Sequence, residues 1–182
     1  LLPGDGIGVE IVEAAVEVLD AAAKKYNMEL EYDRQLIGGV AIDATGHPLP
    51  EATVKSAQAA DAVLLGAVGG PKWDNVEPTL RPEKALLGIR KALGLYCNLR
   101  PIKVSRFVSH LSPLKDERVA NADLLIVREL TGGIYFGTHN EAALDENGVE
   151  TASDIEIYSR PEVERIAKFA FEAAKKRKGK VT

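Results

Sequence analysis

The chain has 182 residues, 46% of them hydrophobic, a net charge of −4 and one cysteine, Cys97. That is apolar sequence enough for one large core or two small ones, and the mild acidity gives no reason to expect nucleic acid or a membrane surface as a partner. No apolar run approaches the roughly 18 residues that span a bilayer, and a lone cysteine makes no internal disulfide, which fits a reducing, cytoplasmic setting.

Leu1 and Leu2 read as the end of a strand, and Gly4-Asp5-Gly6-Ile7-Gly8 as a turn. Ile11, Val12, Ala15, Val18, Leu19 and Ala22 then recur at helical spacing to about Lys25. Residues 28–37 have strand character, ended by Gly38 and Gly39. Residues 50–60 predict a helix with Pro50 near its first turn. The apolar run 61–68 predicts a buried parallel strand, followed by a loop over 69–74. A helix over 82–94 leads into extended sequence over 95–104, and 110–120 is polar and loop-like. Residues 123–127 predict a strand, 145–148 a hairpin turn and 151–158 another strand. Ser159-Arg160-Pro161-Glu162 has the form of a capping box. The helix after it carries Val163, Ile166, Ala167, Ala170, Phe171 and Ala174 as its apolar stripe. Alternating strands and helices predict an α/β fold with right-handed crossovers. A domain change is expected near residue 98, giving units 1–98 and 99–182. Both ends look interrupted, so a longer protein is expected.

The most informative stretch is 128–137. An apolar strand delivers Arg128, the pair Gly132-Gly133 and Tyr135 within eight residues. A guanidinium grips a carboxylate through a two-pronged fork, and a phenol can donate a proton. Binder and acid together at a strand end point to a site for an acidic small molecule. Arg100 and Arg128 each follow or interrupt apolar sequence, where a guanidinium needs an anionic partner; for both, a substrate and a structural ion pair are open. Glycines 4, 6 and 8 permit either a close ligand at a helix N-terminus or simply a tight turn. They do not form G-x-G-x-x-G, because the third glycine falls one residue early. His47, His110 and His139 show no zinc spacing. The basic run 175–180 reads as a solvated helix end that Gly179 can cap.

Five motifs stand in order: residues 2–8, 66–71 (Gly-Ala-Val-Gly-Gly-Pro), 98–101 (Asn-Leu-Arg-Pro), 128–137 and 158–167. Together they resemble the β-decarboxylating dehydrogenases, in particular the isopropylmalate branch, over essentially the whole chain. The resemblance implies a two-domain, non-Rossmann α/β fold, incomplete here. It implies NAD-dependent oxidation and decarboxylation of 3-isopropylmalate in leucine biosynthesis, with Mg²⁺ or Mn²⁺, in a homodimer with shared active sites. Arg90, Arg100 and Arg128 match the arginines that bind the malate carboxylates, and Tyr135 matches the proton donor. Ile7, Gly69, Gly70 and Pro71 match positions near the cofactor. Leu86 and Leu87 would wall an isopropyl pocket unless they are ordinary core, and Glu83 would repel a third carboxylate. The family's proton-accepting lysine, metal-binding aspartates and most of its adenosine loop would lie beyond residue 182. No metal ligand is therefore expected in this segment, and the segment alone is expected to be inactive. The alternatives are a homoisocitrate, isocitrate, tartrate or D-malate enzyme, a catalytically silent regulatory subunit of the same fold, and a binding module that captures a dicarboxylate.

Overall fold

The structure, a computed structural model, describes residues 1–105, 107, 109–120 and 122–182, the side chain of Tyr135 excepted. Compactness divides them into two units, Leu1–Gly94 and Leu95–Thr182. Residue 98 falls inside the first strand of the second unit.

In the first unit, β1 (Leu2–Gly4) is followed by α1 (Ile7–Tyr26), α2 (Gly39–Thr45), α3 (Glu51–Ala59), β2 (Leu65–Ala67) and α4 (Pro82–Ala92). The two strands pair in parallel, Leu2 with Leu65 and Gly4 with Ala67. The core gathers Leu2, Ile37, Ala57, Ala85 and Ile89, with Leu49, Val54, Val63, Leu65, Val68 and Leu93 packed against it. On α4 the core positions are Pro82, Ala85 and Ile89, the spacing of one helical face.

Four expectations need correcting. The strand expected over 61–68 shrinks to three residues. Residues 28–37 are extended but not laddered; beside β1 they bond to Leu1, whose terminal ammonium donates to the Asp33 carbonyl and whose carbonyl accepts from Gln35 N–H. Two bonds at a single residue do not make a ladder. And α2 appears where only a glycine stop was expected. Its N-terminus is tied to a carboxylate more than thirty residues away, a partner no local pattern reveals. On α1, only Gly8, Val12 and Ala23 are buried; Val18 of the expected stripe is 69% exposed.

In the second unit, β3 (Cys97–Lys103), α5 (Asp116–Val119), β4 (Asp123–Glu129), β5 (His139–Leu144), β6 (Glu150–Asp154) and α6 (Arg160–Lys175) follow in order. β3 and β4 form an antiparallel ladder, as do β5 and β6. The polar stretch after β3 is not all loop, since it contains α5. β6 stops at Asp154, short of the expected Tyr158, because 155–158 turns its backbone bonds to another partner: Ile155 N–H donates to Thr138 and the Ile157 carbonyl accepts from Gly133. The capping box forms. Glu162 accepts the backbone N–H of Ser159 at 2.6 Å and its hydroxyl at 2.7 Å. Gly179 N–H bonds to the Ala174 carbonyl at 3.0 Å and closes the helix end.

Candidate functional site

In the first unit, the turn 4–8 is built for close backbone packing. A Cβ added to Gly8 would lie 2.1 Å from the Pro3 carbonyl oxygen and 2.6 Å from Ala67 N. One added to Gly66 would lie 2.4 Å from Pro3 O. The first turn of α1 therefore lies directly on the β1–β2 pair, and any side chain there would force them apart. Inside this turn, Asp5 is 1% exposed. Its carboxylate accepts three backbone N–H groups: Gly39 and Gly69 at 2.7 Å and Val40 at 2.8 Å. Gly39 and Val40 open α2, so Asp5 caps that helix from a distant loop and also offsets the positive end of its dipole. Asp5 thus joins the turn, α2 and the loop after β2. Residue spacing had suggested no role for it.

That loop carries Gly69, Gly70 and Pro71. Gly69 N–H is committed to Asp5, so Gly69 anchors the loop. Gly70 lines a cavity of about 320 Å³ together with Trp73, Asp74, Arg81, Pro82 and Glu83. Trp73 and Lys72 latch the loop to α2 through Asp43, whose carboxylate accepts the indole N–H at 3.2 Å and the ammonium at 2.6 Å. Ile7 is 65% exposed beside the turn. The Glu83 carboxylate reaches Gly69, where an added Cβ would lie 2.5 Å from Oε1. Along α4, Glu83, Leu86, Leu87 and Arg90 recur at i, i+3, i+4 and i+7, which is one face. Leu86 and Leu87 are half-buried and stand outside the core set.

In the second unit, the register pairs Asn98 with Arg128 and Arg100 with Ile126. Paired residues in an antiparallel ladder project to the same side, and sides alternate along each strand. Asn98, Arg100 and Arg128 therefore share one face, with Arg100 and Arg128 as diagonal neighbours about 7–8 Å apart. Asn98 Oδ1 accepts from Arg100 Nε at 3.0 Å, which orients the guanidinium without using its two terminal nitrogens. The structure thus brings together two arginines 28 positions apart in sequence. Arg90 belongs to the first unit. Tyr135 ends a 3₁₀ turn over Gly133–Tyr135, and its side chain lies outside the described residues.

Glu129 points to the opposite face from Arg128. Its side chain is 8% exposed. The carboxylate accepts Thr131 N–H at 2.7 Å, Gly132 N–H at 2.8 Å, the Thr131 hydroxyl at 2.8 Å and Arg165 Nη2 at 2.6 Å. Burial pushes its carboxyl upward, but the Thr131 hydroxyl, the Gly132 N–H, Arg165 and the Thr131 N–H together outweigh burial and hold it below the usual glutamate range. A depressed carboxylate contributes stability above its unfolded value, and that stability is lost as pH falls through the folded value. The turn after β4 is therefore expected to loosen below about pH 4.5, the ordinary value. Thermal unfolding of the chain and of Glu129→Gln across pH 3–7 checks this, because the gap between the two should close at the acid end. A gap independent of pH counts against it.

Among the described residues, no group of three or more His, Cys, Asp or Glu could hold a metal ion, and no helix is long and apolar enough to cross a membrane.

The sequence profile of the isocitrate/isopropylmalate dehydrogenases matches residues 1–182. Proteins named 3-isopropylmalate dehydrogenase from Bacillus licheniformis and Bacillus subtilis are 56% and 53% identical over 182 residues; the matches cover all of this chain and 49% and 50% of theirs. Among solved structures, a β-decarboxylating dehydrogenase from Thermococcus kodakarensis matches with a TM-score of 0.67 at 34% identity, covering 97% of this chain and 45% of that one. An isocitrate dehydrogenase from Methylococcus capsulatus matches at 0.70 and 30%, covering 96% and 46%. The chain spans about half the length of the curated relatives it matches.

Proposed function

The chain belongs to the isocitrate/isopropylmalate dehydrogenase family, and from that premise we propose that it supplies the carboxylate-binding and proton-donating groups of an enzyme that oxidatively decarboxylates 3-isopropylmalate. The observation that carries the reading is the β3–β4 register, which puts Arg100 and Arg128 on one face with Asn98 orienting Arg100. A dicarboxylate rewards paired guanidinium forks. Arg90 serves the same chemistry from α4. Leu86 and Leu87, half-buried outside the core, suit an isopropyl group, whose burial would contribute about 2 kcal/mol. Glu83 on the same helix face repels a third carboxylate and so disfavours isocitrate.

NAD, when bound, accepts the hydride from C2 of the substrate. Exposed Ile7, Gly70 at the cavity and Pro71 are the residues of this chain suited to touch it, while Gly69 and Asp5 hold their loop in place. After carbon dioxide leaves, Tyr135 gives a proton to C3 of the enol. The described residues do not by themselves fit Mg²⁺ or Mn²⁺, and no step is assigned to a metal on this chain. The complete protein is read as a homodimer; both strands of the β5–β6 hairpin are exposed along their whole length, which leaves them open to a second copy.

Turnover of the complete protein on 3-isopropylmalate, isocitrate and D-malate tests the substrate, and a preference for isocitrate would sink the assignment. Arg128→Lys keeps the charge but loses the fork. It is expected to raise KM about tenfold or more, the worth of one charge-assisted hydrogen bond. An unchanged KM would remove Arg128 from the binding set. The 182-residue chain alone is expected to show no NAD reduction with 3-isopropylmalate, and measurable reduction would show that it needs no further groups.

A further inference from the structure

We propose that Glu129 is a positioning residue for this reaction: its carboxylate fixes the turn that carries the backbone from Arg128 to Tyr135. The proposal rests on the functional reading above and extends it to a residue with no part in binding or proton transfer.

Strand alternation turns Glu129 away from the face that holds Arg128, so it does not contact the same ligand. What it does contact is the backbone that follows. Oε2 accepts both Thr131 N–H and Gly132 N–H, and Oε1 accepts the Thr131 hydroxyl and Arg165 Nη2. Two consecutive N–H groups on one oxygen define the direction in which the chain leaves β4. From the other side, the Tyr158 ring closes on the turn; an added Cβ on Gly132 would lie 2.9 Å from Tyr158 Cδ1. Gly133 N–H then donates to Ile157 at 2.9 Å. Gly133 has φ of 75°, a conformation that side chains rarely adopt. Backbone bonds thus hold Leu130 to Tyr96, Thr131 and Gly132 to Glu129, and Gly133 to Ile157, with Arg165 Nη2 also reaching the Thr131 hydroxyl.

Arg165 completes the arrangement. It lies on α6, and its guanidinium carbon sits 4.7 Å from the centre of the Tyr96 ring. Its Nε is buried and has no hydrogen-bond partner. The Glu129 carboxylate is therefore the anionic partner of a partly buried guanidinium, and the pair joins the end of β4 to the helix. A turn tied in this way keeps binder and acid at a fixed separation, and near the reacting atoms a displacement of about 1 Å can cost on the order of 10²-fold in rate.

The test compares kcat and KM, per folded molecule, for the complete protein carrying Glu129→Ala, Glu129→Gln or the pair Glu129→Gln with Arg165→Met. Glu129→Ala is expected to lower kcat and raise KM together, with kcat/KM falling on the order of 10²-fold. Glu129→Gln is expected to recover a large part of this, because its amide oxygen can still accept from Thr131 and Gly132. Rescue of that kind separates positioning from a contribution to folding alone. If Glu129→Ala does not fold, the other two variants decide; the double variant also removes the guanidinium that would be left without its partner. A folded Glu129→Ala with the parent's kcat and KM would overturn the proposal; where only the glutamine variants fold, kcat and KM equal to the parent's in both would overturn it, since the amide replaces only one of the two accepting oxygens. The comparison is run on whichever hydroxy-dicarboxylate the parent oxidises, so preference for another substrate refutes the functional reading and leaves this test intact. Calorimetric affinity for 3-isopropylmalate gives a readout that needs no turnover, and unchanged affinity in every variant would likewise overturn it if the parent binds but does not react.

Discussion

Asp5→Ala is expected to destabilise the first unit by about 3 kcal/mol, since it leaves three backbone N–H groups, one buried and two part-buried, without an acceptor, and a buried one costs about 1–3 kcal/mol. Gly39, Val40 and Gly69 all donate to this one carboxylate, and a methyl group offers none of them a partner. The loss is concentrated where α1 meets β1 and β2, because the glycines there leave no side chains to take up the slack. Asp5→Asn should cost less. Its amide oxygen can serve Gly39 and Gly69 as Oδ2 does, but its NH₂ then faces the Val40 N–H, donor against donor. Urea unfolding of the chain measures both variants. A shift below about 1 kcal/mol for alanine would mean that water or a local rearrangement satisfies the three donors, and that Asp5 is not what joins the turn to α2 and the loop.

The largest kinetic effect is expected from Tyr135→Phe in the complete protein. General acid catalysis contributes about 10²–10⁴-fold, so kcat should fall at least about a hundredfold while KM changes little. Phenylalanine keeps the ring and removes only the hydroxyl that carries the proton. The backbone path to residue 135 is fixed by the Glu129 and Ile157 bonds, and these do not involve the hydroxyl. An unchanged kcat would show that the enol takes its proton from elsewhere. A rise in KM as large as the fall in kcat would mean that the hydroxyl binds substrate instead.

The two carboxylates that organise this chain show where local reading stops. Glu129 stands inside the 128–137 motif beside an arginine whose use is visible in its charge. The use of Glu129 lies in two N–H groups that point at it only after the chain has turned. Asp5 carries no local signal of its role. Its partners are 34, 35 and 64 positions away, and no spacing rule connects residues so distant.

Helices α1, α4 and α6 could be read directly from residue order. Each has a 3.6-residue apolar period or a terminal signal written in neighbouring residues, and the Ser159–Glu162 box formed as its four residues predicted. The ordered motifs were equally legible and were enough for the family. Folding in three dimensions decided the rest. It set the lengths of β1 and β2, since a parallel pair lasts only as long as both backbones stay adjacent. It also formed α2, whose start depends on a remote acceptor. It chose the register that puts Arg100 and Arg128 on one face; a slip of one residue would have turned them apart. Periodicity is a property of neighbours along the chain and survives in the sequence. Register and backbone acceptance are properties of neighbours in space, and they exist only once the chain has folded.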